Sequence, residues 1–312
     1  MRSTDRGDAG FAAPIFRPEA PDGAQSGETI LALTRPRCGR VSLDVMHWSL
    51  KIFILNLMAK GFEPEVAFMR KIIRCGDICI HAGASDGRHT LVMARLASKG
   101  SVYAFEPSEE TFPVLLNMIF LHRLRNVEAW NVALADKPGR LKLLTPVKLN
   151  KIRGRSFACI SDLDGAFRRE DVGFLNVLEQ QTDCLTIDDF CEAKRLARVD
   201  FLRCDVEGAE EKVLNGARRS IERHLPSILI EIHPIALRTA FDTTAEHVRD
   251  SLLSLGYEMF RVENGDIVRS REILAGTWSD YFFLHPERRA HFSAPFRDLI
   301  DEVPENHRKT ER

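Results

Sequence analysis

From Phe62 onward, apolar and polar positions follow two alternating rhythms. Apolar residues recur at helical spacing over Glu63–Arg74, Thr90–Ser98, Glu109–Arg123, Ile187–Leu196, Glu210–Arg223 and Ala245–Leu255. Between these segments lie short apolar runs that read as strands: Asp77–Ala82, Ser101–Phe105, Val127–Leu134, Val199–Cys204, Ser227–Ile232, Tyr257–Val262 and Tyr281–Leu284. This alternation predicts an α/β protein, Rossmann-like, with a mostly parallel seven-stranded sheet and helices on both faces. Ligands of such sheets bind beyond the carboxyl ends of the strands, where strand order reverses. Residues 263–280 join the last two runs without a helical pattern, so these runs are expected to form an antiparallel edge pair.

The rhythm also sets the domain organisation. Residues 1–40 are rich in Gly, Pro, Ala and charge, and read as a disordered or loosely attached tail. Residues 41–75 read as a helical cover, and 76–288 as the catalytic core. Within the core, residues 136–186 break the pattern. Leu141–Leu144 and Phe174–Leu178 suit strands, and the excursion is expected on the acceptor side, because function often sits in long loops on a rigid scaffold. Residues 289–312 read as a polar C-terminal tail.

Composition narrows the function classes. A net charge of −1 leaves no strong field for holding nucleic acid or an anionic membrane, and neither partner is expected. The basic cluster Lys148, Lys151, Arg153 and Arg155 reads as a solvated loop. The apolar stretch Ile52–Ala59 falls short of the ~20 residues that a membrane span needs. No apolar signal segment opens the chain. The seven cysteines are irregularly spaced, with no CxxC pair and no zinc pattern, so no metal is expected. Reduced thiols of this kind fit a cytoplasmic setting.

Two motifs carry the candidate chemistry. Ile80-His-Ala-Gly83-Ala-Ser-Asp-Gly87 joins the first strand to the next helix. Glycine there lets the backbone turn sharply and approach a ligand, and the helix presents free N–H groups to it. Glu106 stands at the tip of the second strand, held by Pro107. A carboxylate in that place can accept hydrogen bonds from both hydroxyls of an adenosine ribose. The pair admits S-adenosylmethionine or a dinucleotide. Gly83-x-Ser85-x-Gly87 lacks the third glycine of the dinucleotide fingerprint, which favours a ligand without a pyrophosphate.

With these motifs in place, the sequence resembles the FkbM-type methyltransferases. The resemblance rests on Gly76 to Gly87, Ala104-Phe-Glu-Pro107, Asn126-Val-Glu128, Asn131-Val-Ala-Leu-Ala-Asp136, Val199-Asp-Phe-Leu-Arg-Cys-Asp-Val-Glu-Gly-Ala-Glu210, Leu214-x-Gly-Ala217 and Ile230-Glu-Ile-His-Pro234. It covers about Glu63 to Val262, and the D-V-E-G-A-E segment with E-I-H-P is its most specific part. It implies a class I methyltransferase fold, with S-adenosylmethionine as cofactor bound by the 76–288 domain. It also implies O-methylation of a hydroxyl on a small molecule, sugar or glycan. By the same carry-over, His81, Gly83, Ala84, Ser85 and Gly87 would face the methionine portion. Glu106 would hold the ribose, and Asn131 with Val132 would lie near the adenine. The family usually has Asp where this chain has His81, and Asn where it has Ser85.

Asp205, Glu207, Glu231 and His233 form the candidate catalytic group. Glu231 and His233 are two apart on one strand and share one side of it. Methyl transfer needs the acceptor oxygen held in line and a route for its proton. Histidine is the usual proton acceptor at physiological pH, and His233 is the first candidate for the base. Asp205 and Glu207 are candidates for holding the acceptor or the cofactor's ammonium. Glu207 also suits a helix cap and Glu231 a structural ion pair. Two other readings of the chain stay open: a nicotinamide-dependent oxidoreductase, and a methyltransferase-like binding module that has lost catalysis, for which His81 is the motive.

Overall fold

The computed structural model describes residues 43–57, 64–147, 176–274 and 278–302, together with the strand segments 16–17, 35–36 and 159–161. In chain order, helices α1 (Leu43–Leu57) and α2 (Val66–Ile72) precede strand β1 (Ile78–Ala82). Then come α3 (Arg88–Leu96), β2 (Ser101–Phe105), α4 (Phe112–Leu121) and β3 (Val127–Trp130). The excursion holds β4 (Ala133–Leu134), β5 (Gly139–Val147), β6 (Cys159–Ser161) and β7 (Asn176–Leu185). The chain continues through α5 (Ile187–Ala193), β8 (Phe201–Cys204), α6 (Glu210–Asn215), α7 (Arg218–His224) and β9 (Ser227–Ile232). It closes with α8 (Pro234–Ala240), α9 (Ala245–Leu253), β10 (Glu258–Glu263), β11 (Asp266–Arg269), β12 (Ser279–Leu284) and α10 (Ala294–Glu302).

The main sheet runs β11-β10-β12-β9-β8-β1-β2-β3. Its centre is parallel, from β9 through β8, β1 and β2 to β3. β12 inserts between β9 and β10, antiparallel to both. The chain winds outward from β1 to β3, then returns to place β8 on the other side of β1. Strand order therefore reverses between β1 and β8, and the carboxyl ends there open a crevice.

Both faces of the central strands are buried, which is why they read as continuous apolar runs. The side chains alternate between two cores. Ile80, Leu202, Cys204, Ile228 and Ile230 meet Phe190, Val213, Val248 and Leu252 of the helices on one face. Cys79, Phe201, Leu229 and Phe282 meet Val66, Met69, Met93 and Phe296 on the other.

Several expectations change. The sheet has eight strands because the connection over 263–280 folds into a hairpin carrying β11. The antiparallel pair of β10 and β12 is present. The helix read over Glu210–Arg223 is two helices, α6 and α7. They part at Gly216, where a Cβ would stand 2.0 Å from the Ala135 carbonyl oxygen. The run Val127–Leu134 divides, and β4 joins the excursion, which is a four-stranded sheet in the order β4-β7-β5-β6. Leu141, Leu143 and Cys184 there pack on Ala133, Ala135 and Ala209.

The expected polar tail is not polar throughout. Pro286–His291 forms a 3-10 turn, and Phe292 with Phe296 and Ile300 of α10 is buried in the second core. The tail expected over 1–40 lies outside the described residues, apart from the pair Phe16–Arg17 and Arg35–Pro36. The basic cluster Lys148 to Arg155 lies outside them too. Among the described residues no helix is long and apolar enough to cross a membrane.

Candidate active site

The loop after β1 is fixed by backbone contacts before any ligand is considered. Gly83 has φ +76°, and a Cβ on it would lie 1.7 Å from the Asp205 carbonyl oxygen. Only glycine lets the ends of β1 and β8 approach this closely. The N–H groups of Gly83 and Ala84 both donate to the Phe105 carbonyl, at 3.0 and 2.8 Å. Ser85 is left-handed (φ +48°) and its N–H donates to Glu106 Oε2 at 2.7 Å. Gly87 (φ +85°) closes the turn into α3, and a Cβ there would meet Leu115 Cδ1 at 2.9 Å.

Glu106 is thereby caged. Its other oxygen accepts the Ser108 N–H at 3.0 Å, and Asn131 Nδ2 braces its carbonyl at 2.8 Å. Burial pushes its carboxyl up to about 7, and the two backbone N–H groups hold it from going further. The glycine loop and the acid thus meet at one rim of the sheet, at the floor of a cavity of about 270 Å³.

Of the expected cofactor residues, His81, Gly83, Ala84, Ser85 and Glu106 line this cavity. Gly87, Asn131 and Val132 do not: Gly87 sets the loop, Asn131 holds Glu106, and Val132 is buried in the first core. Ala133, Leu134 and Leu143 form the apolar wall in their place. His81 is buried, and its Nδ1 lies 2.8 Å from Thr90 Oγ1. Burial, then His89 and Arg203, lower its pKa well below the usual value, so the ring is neutral. A charged imidazole would have repelled a cationic ligand, and a neutral one does not.

All four expected catalytic residues line the same cavity. Oxygens of Asp205, Glu207 and Glu231 lie within 4.8 Å of one another. A divalent cation could span them, but acidic clusters of this kind are common without one, and no metal role is assigned. Proton sharing is the direct consequence of the crowding. Burial, then the charges of Asp205 and Glu210, push Glu207 up to about 9. Burial, then Asp205, hold Glu231 far above its usual range, so Glu231 keeps its proton and donates a hydrogen bond to Asp205.

His233 has a structural task. It is the N-cap of α8, and its Nδ1 accepts the Ala236 N–H at 3.2 Å. A neutral ring so bonded carries its proton on Nε2, which then donates rather than accepts. The N-cap of α6 is Ala209 with no side-chain cap bond, and Glu210 in the first turn accepts the Gly208 N–H at 2.9 Å, so Glu207 does not cap the helix.

Sequence reasoning missed Arg88, His89, Leu143 and Trp278, which also line the cavity. Behind the acids it missed Arg203, fully buried in β8 and ion-paired with Asp205. Its signal was legible: an arginine inside the apolar run Val199–Cys204 demands a buried partner.

Residues 81–259 match the family model described as the Methyltransferase FkbM domain. "Methyltransferase 1" of Beauveria bassiana (strain ARSEF 2860) is 29% identical over 170 residues, covering 49% of this chain and 67% of that protein. The 31-O-demethyl-FK506 methyltransferase FkbM of Streptomyces tacrolimicus is 24% identical over 178 residues, covering 52% and 68%. Among solved structures, the methyltransferase FkbM from Methylobacillus flagellatus KT aligns with a TM-score of 0.41 at 17% identity. That alignment covers 78% of this chain and 56% of that one.

Proposed function

The chain belongs to the Methyltransferase FkbM domain family and is a methyltransferase, and from that premise we propose that it transfers the methyl group of S-adenosylmethionine to a hydroxyl of a small molecule, sugar or glycan. One observation carries this reading: Ser85 N–H and Glu106 Oε2, from the loop and the second strand, meet at 2.7 Å on the cavity floor. The residues present fit the cofactor. Gly83 lets the ends of β1 and β8 close against each other at the cavity, and Ser85 lies beside it for the methionine portion. Glu106 is a buried carboxyl at the place of the ribose. The apolar wall of Ala133, Leu134 and Leu143 suits a flat base.

When bound, S-adenosylmethionine supplies a methyl group on a sulfonium, a strong electrophile needing no further activation. The chain's own residues have two tasks: to hold the acceptor hydroxyl and to remove its proton. Asp205 is the candidate base, placed in the cleft by Arg203 and by the hydrogen bond from Glu231. Glu207 retains its proton at neutral pH and can donate to an acceptor oxygen. His233, with its proton on Nε2, orients rather than deprotonates. The neutral His81 places no positive charge against the sulfonium, which supports a site that still takes the cofactor. Five cysteines among the described residues are free, four of them buried, which supports a reducing, cytoplasmic setting.

The test is transfer of label. The protein is incubated with methyl-labelled S-adenosylmethionine and cell extract, and labelled products are read by mass spectrometry. An ether-linked methyl on a hydroxylated product is expected, with the rate falling about 10²–10⁴-fold in Asp205→Asn. An Asp205→Asn protein as fast as the parent removes that residue from the mechanism.

A further inference from the structure

The sheet face that buries Cys79, Phe201, Leu229 and Phe282 carries polar groups two residues nearer the cleft. His81 and Arg203 are register partners across β1 and β8, and Glu231 and Asp280 across β9 and β12. Arg203 is fully buried, and its two terminal nitrogens are divided between two carboxylates. Nη2 pairs with Asp205 at 3.1 Å, and Nη1 with Asp280 at 2.7 Å. Burial alone would disfavour the charged guanidinium, but Asp280, Asp205, Glu231 and Glu65 together outweigh it. Asp280 lies outside the family match of 81–259, on the strand that inserts antiparallel beside β9.

We propose that Asp280 is a positioning residue of the methyl-transfer site, anchoring Arg203 so that Arg203 holds Asp205, and with it Glu231, in place in the cleft. The inference rests on the methyl-transfer reading of that cleft. Nη1 also donates to the Cys204 carbonyl at 3.3 Å, and Asp280 adds a carboxylate at 2.7 Å on that side, so that a charge faces each terminal nitrogen. The link is also electrostatic, because the Asp280 charge raises Glu231 and Arg203 lowers it.

The other groups facing this network come from every element around it. Glu65 precedes α2 and pairs with His89 of α3 at 2.8 Å. His81 bonds Thr90, Glu207 follows β8, Glu210 opens α6, and His233 caps α8. The ion pairs of Arg203 run through Nη2 to Asp205 and through Nη1 to Asp280.

The test is a carboxyl-carbon NMR titration of the full chain, labelled at Asp and Glu and free of ligand. In the parent, the Glu231 curve is expected to show a second inflection at the midpoint of Asp280. In Asp280→Asn that inflection vanishes and the Glu231 midpoint falls by about one pH unit, while Asp280→Glu restores both. A parent curve without the inflection overturns the proposal with no variant needed. So does a folded Asp280→Asn protein whose Glu231 midpoint is unmoved. Calorimetry on the parent separates the two failures. A parent that takes up no S-adenosylmethionine overturns the methyl-transfer reading and the positioning role with it. A parent that binds it but shows no inflection overturns this inference alone.

Discussion

The proposed role of Glu106 sets two opposed demands: ribose hydroxyls bond its charged form more strongly, yet its burial favours the proton and sets its carboxyl at about 7. Affinity for S-adenosylmethionine should therefore rise between pH 6 and pH 8 and then level off, as read by calorimetry across that range. Glu106→Gln keeps the shape but loses the charge. Its affinity should fall by about 1.5–3 kcal/mol, the worth of hydrogen bonds to a charged group. Stability should move the other way. An acid raised in the folded state stabilises fully below its unfolded value of 4.5 and loses that contribution as pH rises through 7. The unliganded parent should lose stability relative to Glu106→Gln across that window, measured by denaturant melts. Gly83 allows no such exchange of benefits. Gly83→Ala places a methyl 1.7 Å from the Asp205 carbonyl and strains the backbone at φ +76°, so both folding and binding should suffer, read by melting temperature and calorimetry.

At the scale of elements, local pattern explains what was legible. Strands β1, β2, β8 and β9 are short apolar runs because both of their faces are buried, and the glycine loop and Glu106 sit at their ends. What was hidden depended on contacts distant in sequence. Between Glu210 and Arg223 the dipeptide Asn215-Gly216 is the local sign of a break, and what fixes it is a distant contact, the Ala135 carbonyl pressing on Gly216. The charges after His285 concealed α10, whose core contact is carried by Phe296 and Ile300 among polar neighbours. That helix should be integral to the fold. Phe296→Ala is expected to cost about 3–5 kcal/mol, the range for a buried phenylalanine truncated to alanine, in equilibrium unfolding. A loss under 1 kcal/mol would show that the second core does without it.

For the molecule as a whole, the sheet order decides where the chemistry lies. The reversal between β1 and β8 brings the loop at Gly83 against Asp205, and the insertion of β12 beside β9 sets Glu231 and Asp280 side by side. Sequence spacing identified the acids on β8 and β9. It could not identify Arg203–Asp280 as a pair, since the insertion of β12 beside β9 is a property of topology. Nor could it show that His233 is occupied as a cap, because that depends on where α8 starts. The central claim is that this crevice takes an adenosyl sulfonium and not a dinucleotide. Isothermal calorimetry of the full chain at pH 8, with S-adenosylmethionine and NAD in parallel, tests it most directly. Saturable binding of S-adenosylmethionine with no heat from NAD is the predicted result. Saturation by NAD with none by S-adenosylmethionine would contradict it.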